Sequence, residues 1–201
     1  NEIIYLPVLL CSIYGLRRSE VLGIKWSCVD FENNTIHICE TLQQSTKELT
    51  GESNYTDDTK NASSNRTMPL IPVIKEKLLV QKQWQIENKK EFEELYSDSD
   101  FVFTHENGSV MTPNYLTKNF RRIADSLGYH GLRLHDLRHS VASNLLNKGF
   151  SYVQTAEWLG HSNPSTTFRF YAHVDKTSKI AIASDYEQIF REEKSPSTSS
   201  G

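Results

Sequence analysis

The stretch HDLRHSVASNLLN, residues 135–147, is the most informative part of the sequence about the fold. Its apolar side chains recur at helical spacing, which predicts a helix with one apolar row. His135, Arg138 and His139 would share one face of that helix, because residues three and four apart are neighbours on a helix surface. Two imidazoles and a guanidinium within one turn favour a ligand on this face. A metal is disfavoured as that ligand, because Arg138 would repel a cation.

Similar patterns extend from this helix in both directions along the chain. Helices are predicted at residues 2–14, 18–22, 113–127, 151–159, 165–172 and 177–190, and a longer one begins at Pro72. Pro7 is a candidate kink in the first helix, and Val73, Lys77, Val80 and Trp84 form one row of the long helix. Residues 28–31 and 35–39 read as a β-hairpin, with 66–70 as a third strand. The predicted fold class is therefore α+β, mainly helical with a small three-stranded antiparallel sheet.

Charge is distributed unevenly along the 201 residues. The chain has 22 Lys and Arg against 25 Asp and Glu, a formal net charge of -3, which by itself argues against a polyanionic ligand. Residues 117–180 nevertheless carry nine basic side chains against four acidic ones, whereas residues 87–106 carry two against seven. An acidic surface helix can thus mask a basic C-terminal half.

Several classes of protein are disfavoured by composition. The most apolar stretch, residues 3–11, is too short to cross a bilayer, and no signal peptide opens the chain. Three cysteines without metal-type spacing fit a reducing cytoplasm better than a disulfide framework. Residues 43–67 are almost wholly polar, and a loop of that length is usually functional or disordered.

Five short motifs follow one another in a specific order. They are Gly15-Leu16-Arg17-Arg18-Ser19-Glu20, then Lys60-Asn61-Ala62-Ser63-Ser64-Asn65-Arg66-Thr67-Met68-Pro69, then His135-Asp136-Leu137-Arg138-His139, then Leu159-Gly160-His161, then Tyr171-Ala172-His173. Each is weak alone, but the ordered set resembles the tyrosine recombinase (phage integrase) family over residues 3–190. The resemblance implies one catalytic domain over residues 1–191, a polar tail over 192–201, and a chain that begins where the family's N-terminal core-binding domain would end.

The resemblance also implies roles for individual residues. Arg17 and Arg138 would grip the scissile phosphate, and Tyr171 would be the nucleophile. Lys60 resembles the hairpin lysine that protonates the leaving oxygen, with Lys47 a distant alternative because the polar insertion is long. His135 and His161 would be the active-site histidines, with Glu20 and His139 supporting the site from behind. Tyr152 and Tyr186 are poorer nucleophile candidates, since neither has the Tyr-x-His context.

The implied function is site-specific DNA recombination through a 3′-phosphotyrosine, with a mobile element as the expected substrate. The implied partner is double-stranded DNA, contacted by Arg18, Arg121, Arg122, Arg133 and Arg169. The resemblance further implies no cofactor, no metal, a cytoplasmic location, and a homo-oligomer on DNA in which residues 180–190 dock on a neighbouring subunit. Two alternatives remain open: a type IB-like topoisomerase and a non-catalytic DNA-binding module.

Overall fold

A computed structural model describes residues 2–42 and 65–161 of the chain. This part contains six α-helices, three β-strands and short 3-10 turns. In chain order the elements are α1 (Tyr5–Tyr14), α2 (Arg18–Leu22), β1 (Val29–Asp30), β2 (Thr35–Ile38), β3 (Arg66–Pro69), α3 (Pro72–Phe92), α4 (Pro113–Ser126), α5 (Leu134–Asn147) and α6 (Tyr152–Leu159). The predicted helices at 165–172 and 177–190 and the tail at 192–201 lie outside the described residues.

The three strands form one antiparallel sheet in the order β1-β2-β3, as predicted. Val29 pairs with Ile36, and Ile38 pairs with Arg66 at the start of β3. The β1–β2 turn ends at Asn34, whose φ of 52° lies in the left-handed region that asparagine tolerates. The sheet therefore places Arg66 at the end of the hairpin farthest from this turn.

Helix boundaries follow local sequence chemistry. Thr112 accepts a hydrogen bond from the backbone N–H of Tyr115, and Pro113 occupies the first turn of α4, as predicted. Ser151 caps α6 in the same way, in a capping box with Gln154. Gly15 and Gly160 end α1 and α6 in the left-handed conformation, which fixes the chain direction at both turns.

The hydrophobic core surrounds α1. Leu10 and Tyr14 are fully buried and belong to one cluster with Ile36 of the sheet, Ile74 of α3 and Leu116 of α4. A second, smaller cluster joins α5 to α6 through Val141, Ala142 and Leu159. The core thus holds the ends of α1, α2, α5 and α6 near one another.

Three sequence-based expectations about the helices were wrong, the first of them about the buried face of α3. The row through Val73 and Val80 faces outward, with 47% and 66% of each residue exposed, because α3 buries Ile74, Leu78, Gln85 and Asn88 instead. The Gln85 amide donates to the carbonyls of Phe101 and Val102, so a polar residue occupies the inner face and hides the apolar pattern.

The other two errors concern helix ends. Pro7 does not act as a kink, because α1 begins at Tyr5 and the proline lies in its first turn, where its missing N–H has no partner to lose. Leu127 is 68% exposed because α4 ends one residue earlier, at Ser126. Among the described residues, no helix combines the length and apolar character needed to span a membrane.

Candidate active site

The turn between α1 and α2 supplies the first arginine of the site. Arg17 is the extended N-cap residue of α2, and its backbone N–H donates to Oε2 of Glu20 at 2.9 Å. Its guanidinium Nη1 also contacts Oε1 of the same carboxylate at 2.5 Å. This capping box fixes the backbone of Arg17, while 37% of its side chain stays exposed.

Glu20 is the buried centre of an arginine cluster. It is 1% exposed, and besides Arg17 its carboxylate has Nη2 of Arg66 at 3.3 Å and Nη1 of Arg138 at 4.0 Å. Burial by itself would raise the pKa of Glu20, but Arg66, the Arg17 backbone N–H and the other guanidiniums hold it below its usual range. Three guanidiniums therefore share one carboxylate, which leaves a local surplus of positive charge.

Arg138 reaches this cluster from α5. The residue is 3% exposed, and its Nη1 donates to the carbonyl oxygen of Gly15 at 2.5 Å. Its buried Nη2 has no hydrogen-bond partner within residues 2–42 and 65–161. Burial and the nearby Arg17 lower the pKa of Arg138 to about 9. A buried cation with an unused donor is costly unless an anion completes it.

The turn after α6 brings His161 to the same place. Both Nη atoms of Arg17 lie 3.5 Å from the carbonyl oxygen of Gly160, the residue that ends α6. Burial, then the charges of Arg138 and Arg17, lowers the pKa of His161 to about 4. His161 is therefore a neutral imidazole near pH 7 and can donate from one nitrogen while accepting at the other.

His135 and His139 lie on one face of α5, as predicted, and their imidazoles are close to the arginine cluster. The rings of His135 and His139 meet edge to face with centroids 5.0 Å apart, and His135 is the more exposed. Burial lowers the pKa of His135, as do His139, Arg138 and Arg17. A neutral, accessible His135 has the charge state required of a general base.

Two clefts flank the arginine cluster. One, of about 500 Å³, is lined by Arg17 and His135 together with three further arginines, Arg18, Arg121 and Arg133. The other, of about 760 Å³, runs between β3 and α6 and is lined by Arg66 and His161 among others. The first cleft is basic enough to hold an extended polyanion next to Arg17.

Several sequence-predicted residues cannot be placed in this arrangement. Lys60, Lys47, Arg169, Tyr171 and Tyr186 lie outside the described residues, as does the segment 180–190. Two others lie within the described part but away from the basic cleft. Arg122 donates to Asn119 on its own helix, and Tyr152 is the first residue of α6.

Sequence reasoning missed one member of the cluster, Arg66. The motif from Lys60 to Pro69 contains this arginine, but the resemblance implies no role for it. The available signal was its place at the start of a short predicted strand, where alternation would turn a side chain inward. Its partner could not be foreseen, because Glu20 is distant along the chain.

One other grouping has the composition of a metal site. Within the described residues, the ligand atoms of Cys28, Cys39 and Glu40 lie within 4.8 Å of one another. Lys25 already pairs with Glu40 at 2.5 Å, and burial together with Cys28 raises the pKa of Cys39 to about 12. A cation would have to displace an ammonium and deprotonate a resistant thiol, so this group is poorly suited to hold a metal.

Comparisons with known proteins identify the family of the chain. Residues 3–178 match the sequence profile of the phage integrase family. A XerC-like tyrosine recombinase of Caldanaerobacter subterraneus subsp. tengcongensis is 31% identical over 185 residues, covering 85% of this chain and 46% of that protein. An integrase of a Staphylococcus phage is 30% identical over 181 residues, covering 89% of this chain and 50% of that protein.

Among solved structures, the Tn1549 transposon integrase in complex with circular intermediate DNA is 25% identical, with a TM-score of 0.73. The match covers 90% of this chain and 59% of that one. The chain therefore belongs to the phage integrase family, and the predicted fold of the tyrosine recombinase catalytic domain is confirmed. The chain spans about half the length of the curated relatives it matches.

Proposed function

We propose that this protein is a site-specific DNA recombinase that cuts and rejoins strands through a covalent 3′-phosphotyrosine. The observation that carries the proposal is the buried Nη2 of Arg138, which has no partner among the described residues and lies in a cluster of three guanidiniums around one carboxylate. A phosphodiester is the anion that such a cluster suits, because forked guanidiniums match its non-bridging oxygens. The names of the relatives, a recombinase and two integrases, support the same activity.

In the proposed chemistry, two arginines stabilise the negative charge that grows on the phosphate. Attack on a phosphodiester passes through a pentavalent arrangement with extra negative charge on the non-bridging oxygens. Arg17 and Arg138 would hold those oxygens as the charge grows, so neither a metal nor a cofactor is needed. Tyr171 would form the bond to phosphorus as the 5′-oxygen leaves, and the phosphodiester energy is kept in the tyrosyl linkage, so rejoining needs no ATP.

Proton transfers are assigned to three further residues. Free tyrosine titrates near ~10, so Tyr171 needs a cationic setting or a base. The lowered pKa of His135 supports its role as that base, and His161 would donate to a phosphate oxygen. Lys60 would protonate the leaving 5′-oxygen. General acid–base help of this kind contributes about 10²–10⁴ in rate.

DNA would lie along the basic cleft next to Arg17. Arg18, Arg121 and Arg133 line it, which supports these three as phosphate contacts. Arg122 and Arg169 stay proposals from sequence alone. The same is true of integration or excision of a mobile element as the biological role, a cytoplasmic location, and a homo-oligomer in which residues 180–190 dock on a neighbour.

A nicked duplex tests the proposed activity. A pool of duplexes with a nick inside randomised sequence, 5′-labelled on the strand to be cut, should yield a denaturant-resistant protein–DNA adduct that retains the label. Tyr171→Phe should abolish the adduct, Tyr152→Phe should leave it, and EDTA should have no effect. Adducts that persist in Tyr171→Phe would refute the nucleophile, and loss on chelation would indicate a metal enzyme. Relaxation of supercoiled plasmid without paired sites would favour a topoisomerase.

A further inference from the structure

Arg66 differs from the other two arginines of the cluster in where it comes from. Arg17 caps α2 and Arg138 lies in α5, whereas Arg66 opens β3 and reaches Glu20 from the sheet. Its side chain is 9% exposed, which is low for an arginine. Nothing in the proposed chemistry uses it.

The geometry around Glu20 shows what Arg66 contributes. Oε1 of Glu20 is taken by Nη1 of Arg17. Oε2 accepts from the Arg17 backbone N–H at 2.9 Å and from Nη2 of Arg66 at 3.3 Å. Arg138 lies 4.0 Å from the same Oε2, beyond hydrogen-bond distance. Arg66 thus occupies the acceptor that Arg138 would otherwise reach.

The alternative arrangement is simple to describe. If Arg66 were absent, the buried Oε2 would lose one donor, and the nearest other donor known is the guanidinium of Arg138. A small movement of the Arg138 side chain would pair it with Glu20, because a closer opposite charge stabilises a buried carboxylate. That movement would turn Arg138 towards the carboxylate and away from an incoming anion.

We propose that Arg66 is a positioning residue: by binding Oε2 of Glu20 it keeps Arg138 off the carboxylate and available to a phosphate. The proposal rests on the proposed function for the identity of the anion, but its mechanism concerns three side chains and can be tested with inorganic sulfate. Arg66 itself has no contact with the substrate in this scheme.

The affinity for sulfate reports whether Arg138 can bind an anion. Titrations would be followed by the NMR signals of the Nε–H groups of Arg17 and Arg138 in the whole chain. Arg66→Met should weaken sulfate binding by about tenfold. Lys25→Met is the matched control, because it removes one positive charge and one carboxylate partner from the separate pair with Glu40. We expect this control to bind sulfate like the unmodified protein.

Two further measurements separate positioning from simpler effects. A crystal structure of Arg66→Met should show the Arg138 to Glu20 distance, now 4.0 Å, shortened to a hydrogen bond. In a Glu20→Gln background, Arg66→Met should reduce the affinity for sulfate only slightly. If Glu20→Gln fails to fold, the crystal structure of the single variant decides.

Each contrary result has a definite meaning. Sulfate affinity unchanged in Arg66→Met while the melting temperature falls would make Arg66 merely structural. An equal loss in both backgrounds, or an unmoved Arg138, would make Arg66 a direct attractor of the anion. Failure of the unmodified protein to bind sulfate would also overturn the proposal. Normal sulfate results without any DNA adduct would instead contradict the recombinase function and leave the positioning role standing.

Discussion

At the scale of single residues, Arg138 combines two opposed properties. It is almost wholly buried, yet within residues 2–42 and 65–161 only one of its two terminal nitrogens donates a hydrogen bond. Burial would favour full pairing, because an unused buried donor costs roughly 1–3 kcal/mol. Among the buried side-chain atoms without a partner in the described residues, Nη2 of Arg138 lies in the arginine cluster around Glu20. Stability is thus given up where an anion would restore it.

His161 gives a prediction at the same scale. Its pKa is lowered to about 4 by burial and by Arg138 and Arg17. A bound anion offsets those charges and favours the imidazolium, so binding raises this pKa. We expect the NMR titration of His161 to have its midpoint near 4 in chloride and a higher one in sulfate.

The lowered pKa of His161 also has a stability consequence with a fixed sign. The unfolded chain takes up the proton first, so this contribution to stability is complete above the ordinary value of 6.5 and is lost as pH falls towards 4. A titration midpoint near 6.5 in chloride would contradict the burial and charge of this site.

At the scale of elements, the end of α1 connects the core to the arginines. Gly15 ends the helix with a φ of +65°, and its carbonyl oxygen accepts from Arg138. A Cβ added at Gly15 would lie 2.4 Å from Cδ2 of Leu159 in α6. Two helices and an arginine therefore meet at a position that has room for no side chain.

Gly15→Ala tests this contact. The left-handed conformation costs alanine roughly 1–2 kcal/mol, and overpacking against Leu159 adds roughly 1–3 kcal/mol. Urea unfolding should therefore show a loss of about 2–5 kcal/mol. Gly149→Ala is the control, because Gly149 has a φ of +88° but open space around it, so it bears the conformational cost alone. Equal losses in the two variants would show that the helix contact is unimportant.

The elements also show which parts of the fold are predictable from sequence. Caps, turn glycines and apolar spacing act within a few residues, so the bounds of α2 and the start of α4 at Pro113 were predicted correctly. The inner face of α3 was not, because Gln85 is buried by hydrogen bonds to carbonyls far along the chain. The spacing of apolar residues along a helix does not reveal hydrogen bonds to residues outside that helix.

The same distinction applies to the candidate site. The arginine–glutamate spacing of Arg17 and Glu20 and the face shared by His135 and Arg138 are local features, and both were predicted. The contact of Arg66 with Glu20 was missed because it joins residues of β3 and α2 that are distant along the chain. The motif order indicated the family, but only the packing reveals which side chains share one carboxylate.

At the scale of the whole molecule, charge is separated between surfaces. The basic cleft gathers exposed arginines, including Arg121, whose side chain is 71% exposed, while residues 87–106, from the last turns of α3 onwards, carry two lysines against seven acids. A net charge of -3 therefore does not describe the field that a ligand meets at the cleft.

The dependence of DNA affinity on salt concentration measures the electrostatic field at the basic cleft. On a duplex of arbitrary sequence, Arg18→Gln and Arg121→Gln should each reduce the slope of log affinity against log salt by about 0.9. Lys90→Gln on α3 makes the same change in net charge on the acidic side, and we expect it to leave the slope unaltered. Equal effects of all three variants would mean that the duplex responds to total charge and not to the cleft.

The two ends of the long polar connection are fixed at almost the same point. Before it, the backbone N–H of Leu42 donates to the carbonyl oxygen of Ser19 at 2.9 Å; after it, Arg66 binds Glu20. The anchors are adjacent residues of α2. Closing a loop between fixed anchors costs only about 0.6 kcal/mol more for each doubling of its length. Changes in the length of the chain between these anchors are therefore compatible with an unchanged arginine cluster.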